Sequence, residues 1–316
     1  MINSNRASTR RAFAPAVFVL AAVVSFSLPT VIKAQTYSSG QPVWPAFEGW
    51  EKNSDGSSNL VFGYMNDNWE EQPYVAIGPD NNIQPGGPDQ GQPTRFQPRR
   101  NRFMFRIRVP KDFGQKELVW TLTTQGKAQK AYGSLRPDLL IENVDIMSET
   151  GALGPGASSP ELRADKAPLV QLEGMKTRNA KIGQPLALTT VTTDDGVPSV
   201  RPGQGGANPG GRGRNPTQFP PYRVTVGKNL GLHTSWYVYR GGGNVTFDPE
   251  PIKAWEDTRN GANSPWAPYW SAPPFPADGK QNVQVTFDEP GTYVLCVRAD
   301  DGALTSDEMV TVTVSR

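Results

Sequence analysis

The sequence predicts an all-β protein made of two β-sandwiches, and three observations lead to this fold class. Short runs in which apolar and polar residues alternate recur along the chain, as they do in strands with one buried face. The 32 glycines and 30 prolines among 316 residues separate these runs, and helical periodicity is nearly absent. The runs fall into two groups, on either side of a segment of low apolar content, and each group has the strand count of a sandwich.

The clearest strand is predicted at residues 101–110, NRFMFRIRVP. Alternation assigns these side chains to the buried face: Phe103, Phe105, Ile107 and Val109. It assigns these to the solvent face: Arg102, Met104, Arg106 and Arg108. Because burying each large apolar side chain contributes ~1.5–3 kcal/mol, a slip of one residue in register is strongly disfavoured.

Further strands are predicted from shorter runs of the same kind, separated by turns such as Gln125-Gly126. In the first half they cover residues 42–52, 58–66, 72–77, 117–124 and 127–135. In the second half they cover residues 168–172, 184–193, 222–226, 230–240, 281–287, 291–299 and 308–314. We therefore expect an N-terminal sandwich domain at 35–146, a linker at 147–167 and a C-terminal sandwich domain at 168–316.

The C-terminal domain is expected to carry two insertions. In residues 201–221, 11 of 21 residues are glycine or proline, a composition that cannot bury enough surface to order itself. Residues 241–280 form a second insertion that is rich in proline and aromatic residues. Its segment NSPWAPYWSAPPFP contains four large rings: Trp266, Tyr269, Trp270 and Phe275. They are expected either to cover one sheet or to form a stacking platform for sugars or a protein partner.

The first 34 residues have the order of an export signal. Arg6, Arg10 and Arg11 precede an apolar run at 12–28, and small residues lead to Ala34. The run is broken by Pro15 and is shorter than the roughly 20 residues needed to span a bilayer, so cleavage near Ala34 is expected. The stretch TRRAF also resembles a twin-arginine signal, and both export routes stay open. The mature protein is expected to be secreted or periplasmic, without a transmembrane segment.

Loss of the signal changes the charge of the chain. Four basic and no acidic residues leave, so the formal charge falls from +2 to +2 − 4 = −2. A charge near zero gives no reason to expect nucleic acid or an anionic membrane as a partner. The only cysteine is Cys296, so an internal disulfide is excluded. Alternation places its thiol on the outer face of its sheet, where it is expected to be either covered by the insertion at 241–280 or free.

The second half resembles a known kind of module. Residues 184–196, Trp236 and above all residues 289–314 (EPGTYVLCVRADDGALTSDEMVTVTV) are similar to immunoglobulin-like sandwiches of the PKD and cadherin-like type in exported bacterial proteins. The resemblance implies two immunoglobulin-like domains after the export signal, with roles in spacing, adhesion, or protein or glycan binding, and it implies no activity. The first half resembles uncharacterised exported β domains.

The expected function is therefore non-catalytic binding or architecture. The only histidine, His233, lies inside a predicted strand and is expected to be a surface residue rather than the base of a Ser-His-Asp mechanism. The alternative is a carboxylate-dependent hydrolase that acts on polysaccharides, or its accessory subunit. Its candidate carboxylates are Glu70, Glu71, Glu250, Glu256, Asp257, Asp288 and Glu289.

Two Asp-Asp-Gly motifs form the most specific candidate site. Asp194-Asp195-Gly196 and Asp300-Asp301-Gly302 are expected at the same end of the C-terminal sandwich. Four carboxylates converging there would repel one another unless a hard cation such as calcium, which takes about six to eight oxygens, lay between them. The alternative is two turns that need Asp and Gly for backbone conformation alone. Calcium is the only cofactor that the sequence suggests.

A second candidate surface is a stripe of arginines that leads into and along the strand at 101–110. Guanidinium groups bind carboxylates and sulfates bidentately, so such a stripe could bind an acidic polysaccharide. An ordinary solvated face paired with acidic neighbours is the alternative. The stripe consists of Arg95, Arg99, Arg100, Arg102, Arg106 and Arg108.

Overall fold

A computed structural model describes residues 37–150, 159–198, 231–255 and 273–316. Fourteen strands in four sheets account for most of the order in these ranges, so the predicted all-β class is confirmed. The helices among the described residues are short, and none of them has the length and apolar character needed to cross a membrane. The glycine- and proline-rich insertion at 201–221 and the strand predicted at 222–226 lie outside these ranges.

The first half contains two three-stranded antiparallel sheets. Their orders are β1-β2-β4 and β3-β5-β6. The strands are β1 (Val43–Lys52), β2 (Ser58–Asn66), β3 (Asn81–Gln84), β4 (Arg99–Val109), β5 (Leu118–Thr124) and β6 (Lys127–Gly133). The strand predicted at 72–77 is wrong, because Tyr74 makes only an isolated bridge with Arg95, and β3 was not predicted. A 3₁₀ turn follows at Pro137–Leu139.

Trp120 is the centre of the first core. Its ring is fully buried and contacts three others, those of Phe62, Phe96 and Phe105, with centroids 5.1–6.4 Å apart. Its indole N–H donates to Asn81 Oδ1 at 3.0 Å, so the one polar atom of the ring has a partner. These rings pack between the two sheets and hold them together.

The second half contains two four-stranded sheets. Their orders are β7-β9-β12-β11 and β8-β14-β13-β10, and the one parallel pair among them is β8 with β14. The strands are β7 (Leu169–Leu172), β8 (Thr177–Lys181), β9 (Leu186–Thr193), β10 (His233–Arg240), β11 (Val245–Asp248), β12 (Lys280–Phe287), β13 (Gly291–Asp300) and β14 (Thr305–Ser315). In immunoglobulin lettering the sheets are A-B-E-D and A′-G-F-C, so this strand order is of the immunoglobulin type. Strand D, β11, lies inside the predicted insertion at 241–280.

The alternation predicted for 101–110 fails at one point. In the pairing of β2 with β4, Phe62 lies opposite Phe105 and Tyr64 lies opposite Asn101. An advance of two residues along β2 therefore corresponds to four residues along β4, so β4 contains a bulge with two extra residues. Phe103 has φ 53° and packs with Val61 on the face opposite to Phe105. Met104, expected in solvent, is 3 % exposed. The predicted faces of Phe103 and Met104 are therefore wrong, because a bulge shifts the alternation locally.

The outer face of the β10-β13 sheet is buried against the first half. Tyr237, Tyr239 and Cys296 belong to the same apolar cluster as Trp120 and the buried Met104. Cys296 is 0 % exposed, which confirms its predicted outward direction but places the thiol inside an interface rather than on the surface. Residues 36–316 therefore form one compact unit.

Backbone and side-chain hydrogen bonds close the edge of this interface. The amides of Thr94 and Arg95 donate to the carbonyl of Tyr239 at 3.1 and 3.2 Å. The Tyr239 hydroxyl donates to Gly91 O at 2.6 Å, and Arg240 forms a bidentate ion pair with Asp89. Because β10 is the edge strand of its sheet, the segment 89–97 covers an edge that would otherwise be open to pairing.

The predicted linker packs on the other side of the bulge. It contains the second half of helix α1 (Asn143–Thr150) and all of α2 (Pro160–Arg163), which Ser159 caps by accepting from the Leu162 amide. A second apolar cluster joins this segment to both halves of the chain: Val61, Phe103, Ile146, Met147, Leu162, Ala303 and Leu304. The connecting segment therefore packs against both halves of the chain along much of its described length.

A buried ion pair lies in the first of these interfaces. Arg298 donates to both carboxylate oxygens of Asp307 at 2.7 and 2.8 Å and touches Met104 Sδ at 3.5 Å. The Arg298 side chain is 9 % exposed and that of Asp307 is 22 % exposed. Because the guanidinium of Arg298 is the more buried group, its charge depends more on the counter-charge of its partner than the charge of Asp307 does.

Replacing Asp307 with Asn should destabilise the protein by about 3 kcal/mol, because the buried guanidinium of Arg298 loses its counter-charge. Urea denaturation of the protein measures this change. The matched control is Glu51→Gln, which breaks the more exposed pair with Arg106 and should cost no more than about 1 kcal/mol. Equal costs for the two variants would contradict the assignment of a buried pair.

Candidate functional site

The two Asp-Asp-Gly motifs follow neighbouring strand ends and form local turns. Gly196 N donates to Asp194 Oδ2 at 3.0 Å, and Val197 N donates to Asp195 Oδ1 at 3.0 Å. In the other turn, the amides of Ala303 and Leu304 both donate to Asp301 Oδ1, at 2.6 and 2.8 Å. One oxygen of each of these carboxylates is therefore used by its own turn, as side-chain-bonded Asp turns require.

A third carboxylate, which the sequence did not suggest, joins them. Asp165 lies two residues after α2 and is 4 % exposed; its oxygens accept no hydrogen bond of normal geometry, although the adjacent Lys166 amide is near enough to lower its pKa. One oxygen each of Asp194 and Asp301 is also buried without a partner, and Asp301 is only 1 % exposed. Three carboxylates thus present four buried oxygens that lack hydrogen bonds: Asp165 Oδ1, Asp165 Oδ2, Asp194 Oδ1 and Asp301 Oδ2.

The pKa values of these carboxyl groups show that their charges repel one another. Burial, followed by repulsion from Asp195 and Asp194, raises the pKa of Asp165 to about 7, and the nearby Lys166 amide offsets this only in part. Burial raises the pKa of Asp301 to about 8, with added repulsion from Asp165 and Asp300. Burial also raises the pKa of Asp194. We refer to Asp165, Asp194 and Asp301 as the carboxylate cluster.

The other two aspartates of the motifs lie at the margin of the cluster. Asp195 is exposed, whereas Asp300 is 6 % exposed and bonds the Gly302 amide. Asp300 Oδ2 stands 4.0 Å from His233 Nε2. As the side chains stand, the described ranges contain no group of three His, Cys, Asp or Glu residues in a metal-holding arrangement.

His233 and Cys296 are both inaccessible. His233 faces outward from β10, as predicted, but it is 6 % exposed rather than on the surface, because β10 is buried on both faces. Its Nδ1 lies 3.0 Å from Gly231 O. Burial raises the pKa of the Cys296 thiol well above its usual value, so the thiolate is disfavoured.

The arginine stripe is largely neutralised by its neighbours. Arg100 pairs with Glu48 at 2.7 Å and Arg106 with Glu51 at 2.8 Å; Arg102 pairs with Glu149 and Arg108 with Asp55. Arg95 donates to Gly242 O at 3.1 Å and Arg99 to Asp67 O at 2.7 Å. Binding of an acidic polysaccharide by these six side chains stays a prediction.

The predicted aromatic platform lies mostly outside the described residues. Trp266, Tyr269 and Trp270 fall in the gap at 256–272, and Phe275 is half-buried. A different aromatic pair is described: the rings of Trp69 and Trp255 lie 6.4 Å apart. Arg99 stands 4.2 Å above the first ring and Lys253 4.9 Å above the second. Sequence patterns could not bring Trp69 and Trp255 together, since 185 positions separate them.

Two of the carboxylates considered for hydrolysis, Glu71 and Asp288, accept hydrogen bonds that stabilise local structure. Glu71 accepts from the Gly40 amide at 2.5 Å, and Asp288 accepts from both the amide and the side chain of Asn244. Glu256 and Asp257 lie in the gap at 256–272.

The strand order defines the class of protein: an all-β chain whose second half is an immunoglobulin-type sandwich. No family model and no curated protein sequence matches the chain.

A comparison with solved structures aligns the chain, at low identity and low TM-score, with three cell-surface or domain structures among others. The N-terminal eight Ig domains of the Down syndrome cell adhesion molecule share 10% identity at a TM-score of 0.21, with 86% of this chain covered. The Yersinia pseudotuberculosis adhesin InvE shares 10% at 0.22, with 86% of this chain and 58% of that chain covered. The D00-D0 domain of intimin shares 9% at 0.22, with 86% and 100% covered. This chain spans 27% of the length of the first of these.

In EDTA, the protein should lose stability as the pH rises from about 5 to about 8.5. The pKa values of Asp165 and Asp301 are about 7 and about 8, both above the ordinary 3.8, so the folded state holds more protons than the unfolded state in this range. Each group contributes a slope of at most about 1.4 kcal/mol per pH unit.

Thermal unfolding measured across this pH range tests the expectation. Asp165→Asn should flatten the profile, because the amide does not titrate. The carboxyls of Asp55, Asp89 and Asp138 have lowered pKa values, so they lose their stabilising contributions only below about pH 4 and do not interfere. A melting temperature that rises from pH 5 to pH 8.5 would refute the burial of these two carboxyls.

Proposed function

We propose that this chain is a non-catalytic exported protein that binds a partner or has an architectural role, and that its two halves act as one rigid unit. The observation that carries the proposal is the apolar cluster that joins the outer face of the β10-β13 sheet to the core of the first half. Modules on a flexible tether would leave such a face in solvent. Because Tyr237, Tyr239 and Cys296 are buried instead, the distance between the two ends of the unit is fixed.

The finer proposals come from the sequence. Residues 1–34 direct export, which makes the mature chain secreted or periplasmic. The second half is a module of the PKD type, and the partner is a protein or a glycan. The strand order and the resemblance of residues 289–314 support this assignment of the second half.

The hydrolase alternative is disfavoured by access. Asp165 and Asp301 have the raised pKa values that an acid catalyst needs, but they are 4 % and 1 % exposed. A sugar ring cannot reach them in this arrangement. His233 and Cys296 are equally covered.

Distance measurements between spin labels test the rigid unit. Labels at Lys130→Cys on β6 and Lys181→Cys on β8, both exposed, report across the two halves, and the buried Cys296 should stay unlabelled. Double electron–electron resonance should give one narrow distance distribution, as narrow as that of the control pair Lys52→Cys and Lys130→Cys within the first half. A distribution across the halves that is several-fold broader than the control would overturn the rigid unit.

Binding without turnover tests the rest of the proposal. The mature chain, incubated with a panel of polysaccharides and with intact cell surfaces, should be retained by at least one of them and should release no new reducing ends. Sustained release of sugar would instead establish the hydrolase. A fusion of residues 1–34 to a reporter that is active only outside the cytoplasm should be active, and its inactivity would remove export.

A further inference from the structure

We propose that Trp44 and Arg99 bind a uronic acid residue of an acidic polysaccharide. The indole ring of Trp44 stacks against the sugar ring, and the guanidinium of Arg99 pairs with the sugar carboxylate. Trp44 is the second residue of β1 and Arg99 is the first residue of β4. The inference rests on the proposed function, because it names the chemical class of the partner, and it narrows the arginine stripe to one binding residue.

Arg99 lacks the ion pair that most arginines of the stripe have. Four of the six pair with carboxylates, and Arg99 pairs with none among the described residues. Arg95 also has no ion pair, but its Nε is buried and its Nη1 donates to Gly242 O. Partial burial lowers the pKa of Arg99, and the charge of Asp67 offsets this only in part. A bound carboxylate would supply the missing counter-charge.

The guanidinium of Arg99 is held in one orientation. It lies 4.2 Å above the ring of Trp69, close enough for a cation–π interaction, and the Trp69 ring is in turn 6.4 Å from that of Trp255. The backbone of Arg99 has φ 59°, in the left-handed region that residues with side chains seldom adopt. Strained residues of this kind occur most often at binding and active sites, where the fold keeps a side chain in position.

Arg99 keeps donors for a ligand. Within the described part of the chain, only its Nη1 donates a hydrogen bond, to the carbonyl of Asp67 at 2.7 Å. The remaining N–H groups of the guanidinium are therefore available. Because a guanidinium presents its donors in a planar fork that matches a carboxylate, they suit a bidentate pair with an acidic sugar.

Trp44 provides an exposed ring beside this cation. Its side chain is 41 % exposed, although the preceding residue, Val43, is fully buried. The indole N–H donates to Asp67 Oδ2 at 2.7 Å, which fixes the ring on the surface. The electron-rich face of an indole attracts the C–H groups that line one side of a sugar ring. A ring already held in place loses little further freedom on binding.

Asp67 brings the ring and the cation together. Its side chain accepts from Trp44 and its carbonyl accepts from Arg99, each at 2.7 Å, so the two groups lie within the length of a disaccharide. The main-chain amide of Trp69 donates to the carbonyl of Tyr37 at 3.0 Å, and the Tyr37 side chain is also exposed. A second ring is therefore present near the first, along which a sugar polymer can continue.

The combination of groups favours a uronate over other partners. A neutral sugar would leave the charge of Arg99 without a partner. An acidic peptide would pair with Arg99 but has no flat ring of C–H groups for Trp44. Because the neighbouring arginines are already neutralised by carboxylates, the site is a local one and not a surface that attracts any anion.

Isothermal titration calorimetry of the protein with three polymers tests the ligand class. The polymers are polygalacturonate, its fully methyl-esterified form and polyglutamate. Polygalacturonate should bind, and added salt should weaken it because the contact is ionic. The esterified form keeps the sugar ring without the charge, and polyglutamate keeps the charge without the ring, so each should bind about tenfold more weakly or less.

Substitutions at the two residues test the site. Arg99→Gln and Trp44→Ala should each weaken polygalacturonate binding by about tenfold or more, as expected for loss of a charged hydrogen-bonded contact or of a stacked ring. Trp44→Phe, which keeps a ring, should recover most of the affinity. Both side chains are at the surface, and circular dichroism with the melting temperature checks that each variant is folded.

Arg106→Gln and Tyr132→Ala are the matched controls. Arg106 lies on the same strand but is paired with Glu51, and Tyr132 is a 54 % exposed ring on β6. Both variants should bind polygalacturonate as the wild type does. If Arg106→Gln loses as much affinity as Arg99→Gln, or if polyglutamate binds as well as polygalacturonate, a general attraction of anions explains the result and the proposal is overturned.

Absence of polygalacturonate binding would also overturn the site. The proposed function would still stand if another polysaccharide or an intact cell surface retained the protein. Retention by none of these materials would count against both.

Discussion

The packing of the first half against the outer face of the β10-β13 sheet is the contact on which the rest of the structure depends. An immunoglobulin-type sandwich normally shows that face to solvent, but here it carries Tyr237, Tyr239 and Cys296. Burying two tyrosine rings and a thiol requires a cover, and the described first half supplies it with Met104 and the segment 89–97. The buried charge of Arg298 is tolerated in this interface only because Asp307 lies beside it on β14.

The bulge in β4 lies at the second contact between the two halves, the one that includes the connecting segment. Because two extra residues are accommodated between Asn101 and Phe105, Phe103 turns away from the first core and meets the connecting segment. Leu162 of α2 packs in the same apolar cluster, together with Ala303 and Leu304 of the β13-β14 turn. Asp165 lies three residues after Leu162, beside this contact.

The titratable groups with displaced pKa values at the junction are covered by protein. The described histidine and cysteine are covered, and the carboxyls with the most displaced pKa values are buried. Perturbed ionisation often marks catalytic groups, but it also follows from burying several carboxyls near one another. Burial of Asp165 and Asp301 is sufficient to account for their raised pKa values.

The sequence by itself determined the all-β class, most strand positions, the outward direction of Cys296 and His233, and the two Asp-Gly turns, because alternation and turn chemistry are local properties. Only the tertiary structure decided that the outward face is covered, that Met104 is buried and that Asp165 joins Asp194 and Asp301. These outcomes depend on contacts between residues that are far apart along the chain, such as Met104 with Arg298. The alternation of residues within one strand does not indicate which distant surface will pack against that strand.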